Sequence, residues 1–165
     1  MLNQCVPEAL AILPVDARPE IWHQAGSFAL DAALDAYRRA GITARVEVFI
    51  DDVASAYDWA DLVICRAGAL TVSELAAAGL AAVLVPYPSA VDDHQTLNAD
   101  YLVKAGAAVL VPQPELTAER LAKEIQNCAR DRRVVVDRAR AARSLARPNA
   151  TAQLVETCLA LKGAE

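Results

Sequence analysis

The sequence predicts an α/β fold: one domain on a Rossmann-like parallel sheet with helices on both faces. Three observations predict it. Short apolar runs that read as strands alternate with longer segments of helical period, the pattern of right-handed βαβ units. The 165 residues are 55% hydrophobic but only 5% aromatic, a mix of Ala, Val and Leu suited to packed α/β layers. Gly41, Gly79 and Gly106 each close a helical segment, where a left-handed residue is wanted. The length is enough for one domain with a real core.

The elements follow in order. Residues 1–11 read as helix interrupted at Pro7, with no strand before it. Residues 20–23 form a short strand, and 28–39 an amphipathic helix ended by Gly41. Residues 45–50 alternate as a strand, after which Asp51 and Asp52 are placed to cap a short helix through Trp59. Residues 62–65 are the next strand, and 70–78 the helix after it, ended by Gly79. Residues 82–86 form a fully apolar strand. A loop with Pro86, Pro88 and Ser89 leads to a helix over about 93–105, and 108–111 is the last strand. Pro112 and Pro114 break the chain, Thr117 opens a helix, and two more follow at about 131–146 and 149–162. No repeat, low-complexity run or linker divides residues 1–165.

Composition narrows the function. A formal charge of −5 argues against a nucleic-acid surface. Basic residues gather in the last third but are interleaved with acids, as on a solvated helix face. Cys5, Cys65, Cys128 and Cys158 show neither zinc spacing nor a disulfide framework, which fits reduced thiols and a cytoplasmic location. The start does not read as a signal peptide, and no apolar run reaches the about 18 residues of a membrane span.

Residues with chemistry sit on two loops. The strand at 62–65 runs into a small-residue turn, Arg66, Ala67, Gly68 and Ala69, and a helix opens with Thr71, Ser73 and Glu74. Backbone N–H groups at a helix start, with the positive end of its dipole, attract phosphate, and a turn of Gly and Ala lets it come close. A carboxylate further along can accept from two ribose hydroxyls. Equally, Thr71 and Ser73 serve as helix caps and Glu74 as a solvated acid. The second loop holds Asp92, Asp93, His94, Gln95 and Asn98 at another strand's carboxyl end, so both loops face one crevice. Gln95 offers an amide suited to sugar hydroxyls, or the same loop is simply a capped helix start. His23 reads as structural. No dyad, triad or paired-carboxylate site is present, and no Asp-x-Asp metal motif occurs.

The segments IWHQAG, FIDDVASAYDWADLVICRAGALTVSELAAAGLAAVLVPYP, DHQTLNA and KAGAA resemble the MurG family of bacterial N-acetylglucosaminyltransferases over nearly the whole chain. The resemblance is to the C-terminal, donor-binding half of a two-domain GT-B glycosyltransferase. It implies UDP-N-acetylglucosamine as donor, with the Ile50 backbone on the uracil edge. Ala69, Leu70, Thr71, Val72, Ser73 and Glu74 would cradle diphosphate and ribose, with Glu74 on the ribose; Arg66 and Gly68 join the candidate donor contacts because they crowd the same strand end. Gln95 would meet the N-acetylglucosamine, with His94 and Asn98 as neighbours.

It also implies inverting transfer without cofactor or metal, onto undecaprenyl-pyrophosphoryl-muramoyl-pentapeptide (lipid I) to give lipid II, at the cytoplasmic face of the inner membrane. Acceptor site, membrane contact and catalytic base would all belong to an N-terminal domain that is absent here, so no catalytic residue is expected and the chain alone is expected to be inactive. The family's first strand and Gly-rich loop are also expected to be missing before Met1. An open sheet edge and self-association would follow. Ala81 replaces a usual proline, and the loop at 89–92 is one residue longer than in some relatives. The alternatives are a stand-alone nucleotide-sugar-binding subunit that needs a separate partner, and a fragment without a ligand.

Overall fold

The strand at 81–84 is the deepest part of the molecule, and its alternation organises the layers on either side. The computed structural model describes residues 1–88 and 93–162. The strands are β1 (Trp22–Gln24), β2 (Arg45–Glu47), β3 (Leu62–Cys65), β4 (Ala81–Leu84) and β5 (Ala108–Leu110). The helices are α1 (Leu2–Ile12), α2 (Leu30–Ala40), α3 (Val53–Trp59), α4 (Ala69–Ala78), α5 (His94–Val103), α6 (Ala118–Arg130), α7 (Arg132–Ser144) and α8 (Ala150–Lys162). All strand pairing is parallel: β1 with β2, and β3, β4 and β5 in that order.

Every residue of β4 is buried, as expected of a strand covered on both faces. Val83, with Val85 just beyond the strand, joins Leu10 of α1 and Leu121 and Ile125 of α6 in one core. Ala82 and Leu84 face the other way, into a core with Leu75 of α4, Leu102 of α5 and Ala142 of α7. Each fully buried Leu or Val contributes about 1.5–3 kcal/mol by leaving water. Polar side chains set the helix starts: Asp52, Thr117 and Asp131 accept from the N–H groups of Ser55, Arg120 and Arg133. Gly79 ends α4 at φ 71°, and a Cβ there would lie 3.2 Å from Arg143 Cβ, so α7 packs directly over this turn.

Several boundaries differ from the sequence expectation. Helix α1 is not interrupted at Pro7, which is buried inside it. One lost hydrogen bond is outweighed by the packing of Cys5, Val6, Ala9 and Leu10. Strand β1 covers 22–24 rather than 20–23, and β2 ends at Glu47 rather than at residue 50. Their pairing continues irregularly, through Ala25 and Gly26 N–H donating to the Glu47 and Val48 carbonyls. β4 starts one residue early and stops before Pro86, which has no N–H to give. Helix α2 begins at Leu30, leaving Phe28 fully exposed ahead of it. The expected loop difference at 89–92, and Asp92 as a cap, lie outside the described residues.

The sheet is in two pieces. Each of β1 and β3 has one paired edge, and among the described residues no backbone hydrogen bond joins them. Between them lies a cavity of about 430 Å³, lined by Val6, Ile21, Leu62, Ile64, Ile125 and Val135 among others. Beside it, Trp22 stacks under the Arg45 guanidinium at 3.7 Å and edge-on to Trp59, with its Nε1 buried and unpartnered.

Candidate functional site

The carboxyl ends of the parallel strands gather the sequence-predicted residues. After β3 the chain turns through Arg66, Ala67 and Gly68 and enters α4, with Gly68 at the N-cap. The first helical bond of α4 runs from Val72 N–H to the Gly68 carbonyl, and no side chain caps this end. The N–H groups of Ala69, Leu70 and Thr71 thus lack helical acceptors, which makes this end a site for an anion. Gly68 has ordinary extended geometry (φ −65°, ψ 148°), so its backbone does not require glycine. What glycine provides is an uncovered helix end: a Cβ would meet only Thr71 Oγ1, at 3.5 Å.

Thr71 and Ser73 do not act as caps. Ser73 Oγ donates back to the Ala69 carbonyl at 3.0 Å, and Val72 turns into the core. Glu74 is exposed one turn beyond Leu70 and Thr71, on the same face of α4. The Tyr57 hydroxyl, on α3, donates to Glu74 Oε2 at 3.0 Å. Burial pushes the Cys65 thiol up to about 12, with the Glu74 carboxylate adding to the effect, so this cysteine stays protonated beside the site.

Arg66, a candidate donor contact from the sequence, makes its hydrogen bonds within the protein. Its guanidinium donates to the carbonyls of Val85 and Pro86 at 3.1 and 3.0 Å, and to Gln113 Oε1 at 2.6 Å. It therefore clamps the end of β3 to the end of β4 and the turn after β5, with Tyr87 packed at 5.4 Å. The second loop is tied to the same place. Asn98 Nδ2 donates to the Ala67 carbonyl at 3.1 Å, and Gln95 Oε1 accepts from Tyr87 N–H at 2.9 Å. That assigns the Gln95 carbonyl to the backbone and leaves its amide NH₂ to donate. His94 opens α5 and is exposed. Asp93 sits at φ 51° ahead of it, and its carboxylate accepts from the Thr96 hydroxyl rather than from a backbone N–H.

Ile50 follows β2, at the carboxyl end of the other sheet piece. Its N–H donates to Gln24 Oε1 at 2.9 Å, so an amide oxygen occupies the donor expected to meet a base. Gln24, Tyr57 and Gln113 were not singled out from the sequence. Gln24 was visible as a polar residue at a strand's carboxyl end, but nothing in a one-dimensional pattern places Tyr57 against Glu74. Among the described residues, no three His, Cys, Asp or Glu side chains come together as a metal-ligand set, and no helix is long and apolar enough to cross a membrane. A larger cavity, about 600 Å³, lies at the opposite, amino ends of β1 and β2, around Ile21, Trp22, Ala44 and Arg45.

His23 stands apart from this crevice, as a structural residue would. Asn3 Nδ2 donates to the Ala25 carbonyl at 2.9 Å, which leaves Asn3 Oδ1 to accept from His23 Nε2–H at 3.1 Å. His23 Nδ1 then accepts from the Tyr37 hydroxyl at 2.7 Å. The ring is a neutral bridge between α1, β1 and α2, and burial lowers its pKa below 6.5. With the folded value depressed, the unfolded chain takes up the proton first, so this contribution is whole above about pH 6.5 and shrinks as pH falls through the folded pKa. The urea midpoint is expected to drop between about pH 7.5 and 5.5, and His23→Gln to flatten that drop. An equal drop in the variant would assign the pH dependence elsewhere.

Comparison with known proteins adds to this geometry. The model of the glycosyltransferase family 28 C-terminal domain matches residues 1–154. A protein of Marinobacter nauticus is 59% identical over 159 residues, covering 96% of this chain and 44% of the relative. One of Nitrosococcus oceani is 56% identical, with the same coverage. Both are named UDP-N-acetylglucosamine–N-acetylmuramyl-(pentapeptide) pyrophosphoryl-undecaprenol N-acetylglucosamine transferase. The crystal structure of Acinetobacter baumannii MurG superposes with a TM-score of 0.87 at 45% identity, covering 94% of this chain and 47% of that one. The chain thus spans less than half the length of these relatives.

Proposed function

Because the chain belongs to the glycosyltransferase family 28 C-terminal domain family, we propose that it is the donor-binding half of a UDP-N-acetylglucosamine-dependent transferase that glycosylates lipid I to lipid II. The observation that carries this reading is the uncapped start of α4 with Glu74 on the same face, set against Gln95 and Ile50 at the carboxyl ends of parallel strands. The diphosphate lies over the N–H groups of Ala69, Leu70 and Thr71. The helix dipole stabilises the charge that grows on departing UDP, and needs no metal to do so. Glu74 accepts from the ribose hydroxyls, and Gln95 donates its amide to the sugar. The Ile50 backbone reads the uracil edge once Gln24 withdraws from its N–H. Val72 and Ser73 hold the turn of helix beneath the phosphates, while Gly68 keeps its mouth open. His94 and Asn98 border the sugar end, Asn98 by fixing the Ala67 carbonyl.

In this reading the acceptor, the general base and contact with the cytoplasmic face of the membrane belong to a second domain, so the 165 residues alone bind donor without turning it over. Calorimetric titration tests the binding. UDP is expected to bind at least about tenfold more tightly than UMP, since charge-assisted hydrogen bonds to the second phosphate are each worth about 1.5–3 kcal/mol. ADP is expected to bind more weakly than UDP. No heat with UDP, or equal affinity for UDP and UMP, would remove the diphosphate site and leave a fragment without this ligand.

A further inference from the structure

We propose that Tyr57 is the positioning residue for Glu74: it holds one carboxylate oxygen so that the carboxylate faces the ribose diol, and thereby sets the preference of the site for ribonucleotides. This rests on the ribose role given to Glu74 above. Glu74 is exposed on α4 and, among the described residues, has no ion pair with a Lys or Arg side chain. An exposed glutamate with three free torsions samples many rotamers, and ordering it on binding costs affinity. The Tyr57 hydroxyl removes much of that freedom before the ligand arrives, by donating to Oε2 at 3.0 Å. Oε1 and the second lone pair of Oε2 are left to accept from two hydroxyls.

Tyr57 is itself held. Asp52 fixes the start of α3 by accepting from Ser55 N–H at 3.0 Å and from its hydroxyl at 2.6 Å. The Tyr57 ring packs against the core that contains Leu75 and Ala76, the α4 residues next to Glu74. Burial first, and the Glu74 carboxylate second, push the phenol pKa up, so the hydroxyl stays a donor. The path from Asp52 through α3 to Glu74 thus runs through rigid elements rather than through a loop.

The test compares UDP with 2′-deoxy-UDP by calorimetry on the full chain, for the wild type, Tyr57→Phe and Glu74→Gln. The wild type is expected to prefer UDP. Tyr57→Phe is expected to lower UDP affinity about three- to tenfold and to change 2′-deoxy-UDP by less than about twofold, so that the preference narrows. A purely structural role would weaken both ligands alike or shift the unfolding midpoint with the preference unchanged, and either result overturns the proposal. If Glu74→Gln removes the preference while Tyr57→Phe keeps it, the positioning role fails and the ribose role of Glu74 stands. If Glu74→Gln also keeps it, the ribose role itself is wrong.

Discussion

Glu74→Ala is expected to weaken UDP binding about tenfold or more while leaving the fold in place. The two halves of that expectation have separate causes. Glu74 is exposed within α4, and alanine is the best helix former, so the helix loses nothing by the change. Tyr57 loses its acceptor, but its hydroxyl serves an exposed hydrogen bond and can turn to water. The binding loss comes from the carboxylate. Hydrogen bonds from hydroxyls to a charged acceptor contribute about 1.5–3 kcal/mol, which is roughly ten- to a hundredfold in affinity. Calorimetry with UDP, beside a urea midpoint for each protein, separates the two effects. Equal UDP affinity in wild type and variant would take Glu74 out of the site.

Arg66→Ala is expected to do the reverse, costing about 2–3 kcal/mol of stability. Sequence position alone put Arg66 among the donor contacts, and arginine beside a diphosphate is a natural pairing. The structure instead directs the guanidinium at the Val85 and Pro86 carbonyls and at Gln113. Removing it unlocks the ends of β3 and β4 from each other and from the turn after β5. Two carbonyls of buried residues then lose a charged donor. The measurement is the urea midpoint against wild type, with UDP affinity taken under strongly native conditions. A variant with an unchanged midpoint and a more than about tenfold loss of UDP affinity would return Arg66 to the phosphates.

These two residues show where the sequence was legible. The strand-turn-helix from Leu62 to Gly79 was readable because its signals are local: an apolar run, a small-residue turn, a helical period and a glycine stop. The same holds for the Asp52 and Thr117 caps. Pro7 was misread because a local rule forbade what long-range packing of α1 against α6 and α2 permits. Strand ends were misplaced by one to three residues where pairing became irregular. The partners of Arg66, Glu74 and Ile50 lie 17 to 47 residues away in sequence. No periodicity encodes such pairings. Gln24, Tyr57 and Gln113 could not be assigned a task before the strands carrying them were placed side by side.

The divided sheet gives the crevice a mechanical character. Gln24 and Ile50 ride on the β1–β2 plate, whereas Gly68, Glu74 and Gln95 ride on the plate built from β3, β4 and β5. Among the described residues no ladder of backbone bonds crosses the joint, which is bridged chiefly by the shared core beneath α1 and α6. A molecule that touches both plates at once is therefore a crossbeam. By linkage, it must favour whichever spacing of the plates it binds best, in proportion to its occupancy. In the donor site proposed above, base and phosphate contacts would fall on different plates, so their contributions to binding would be linked through the width of the joint.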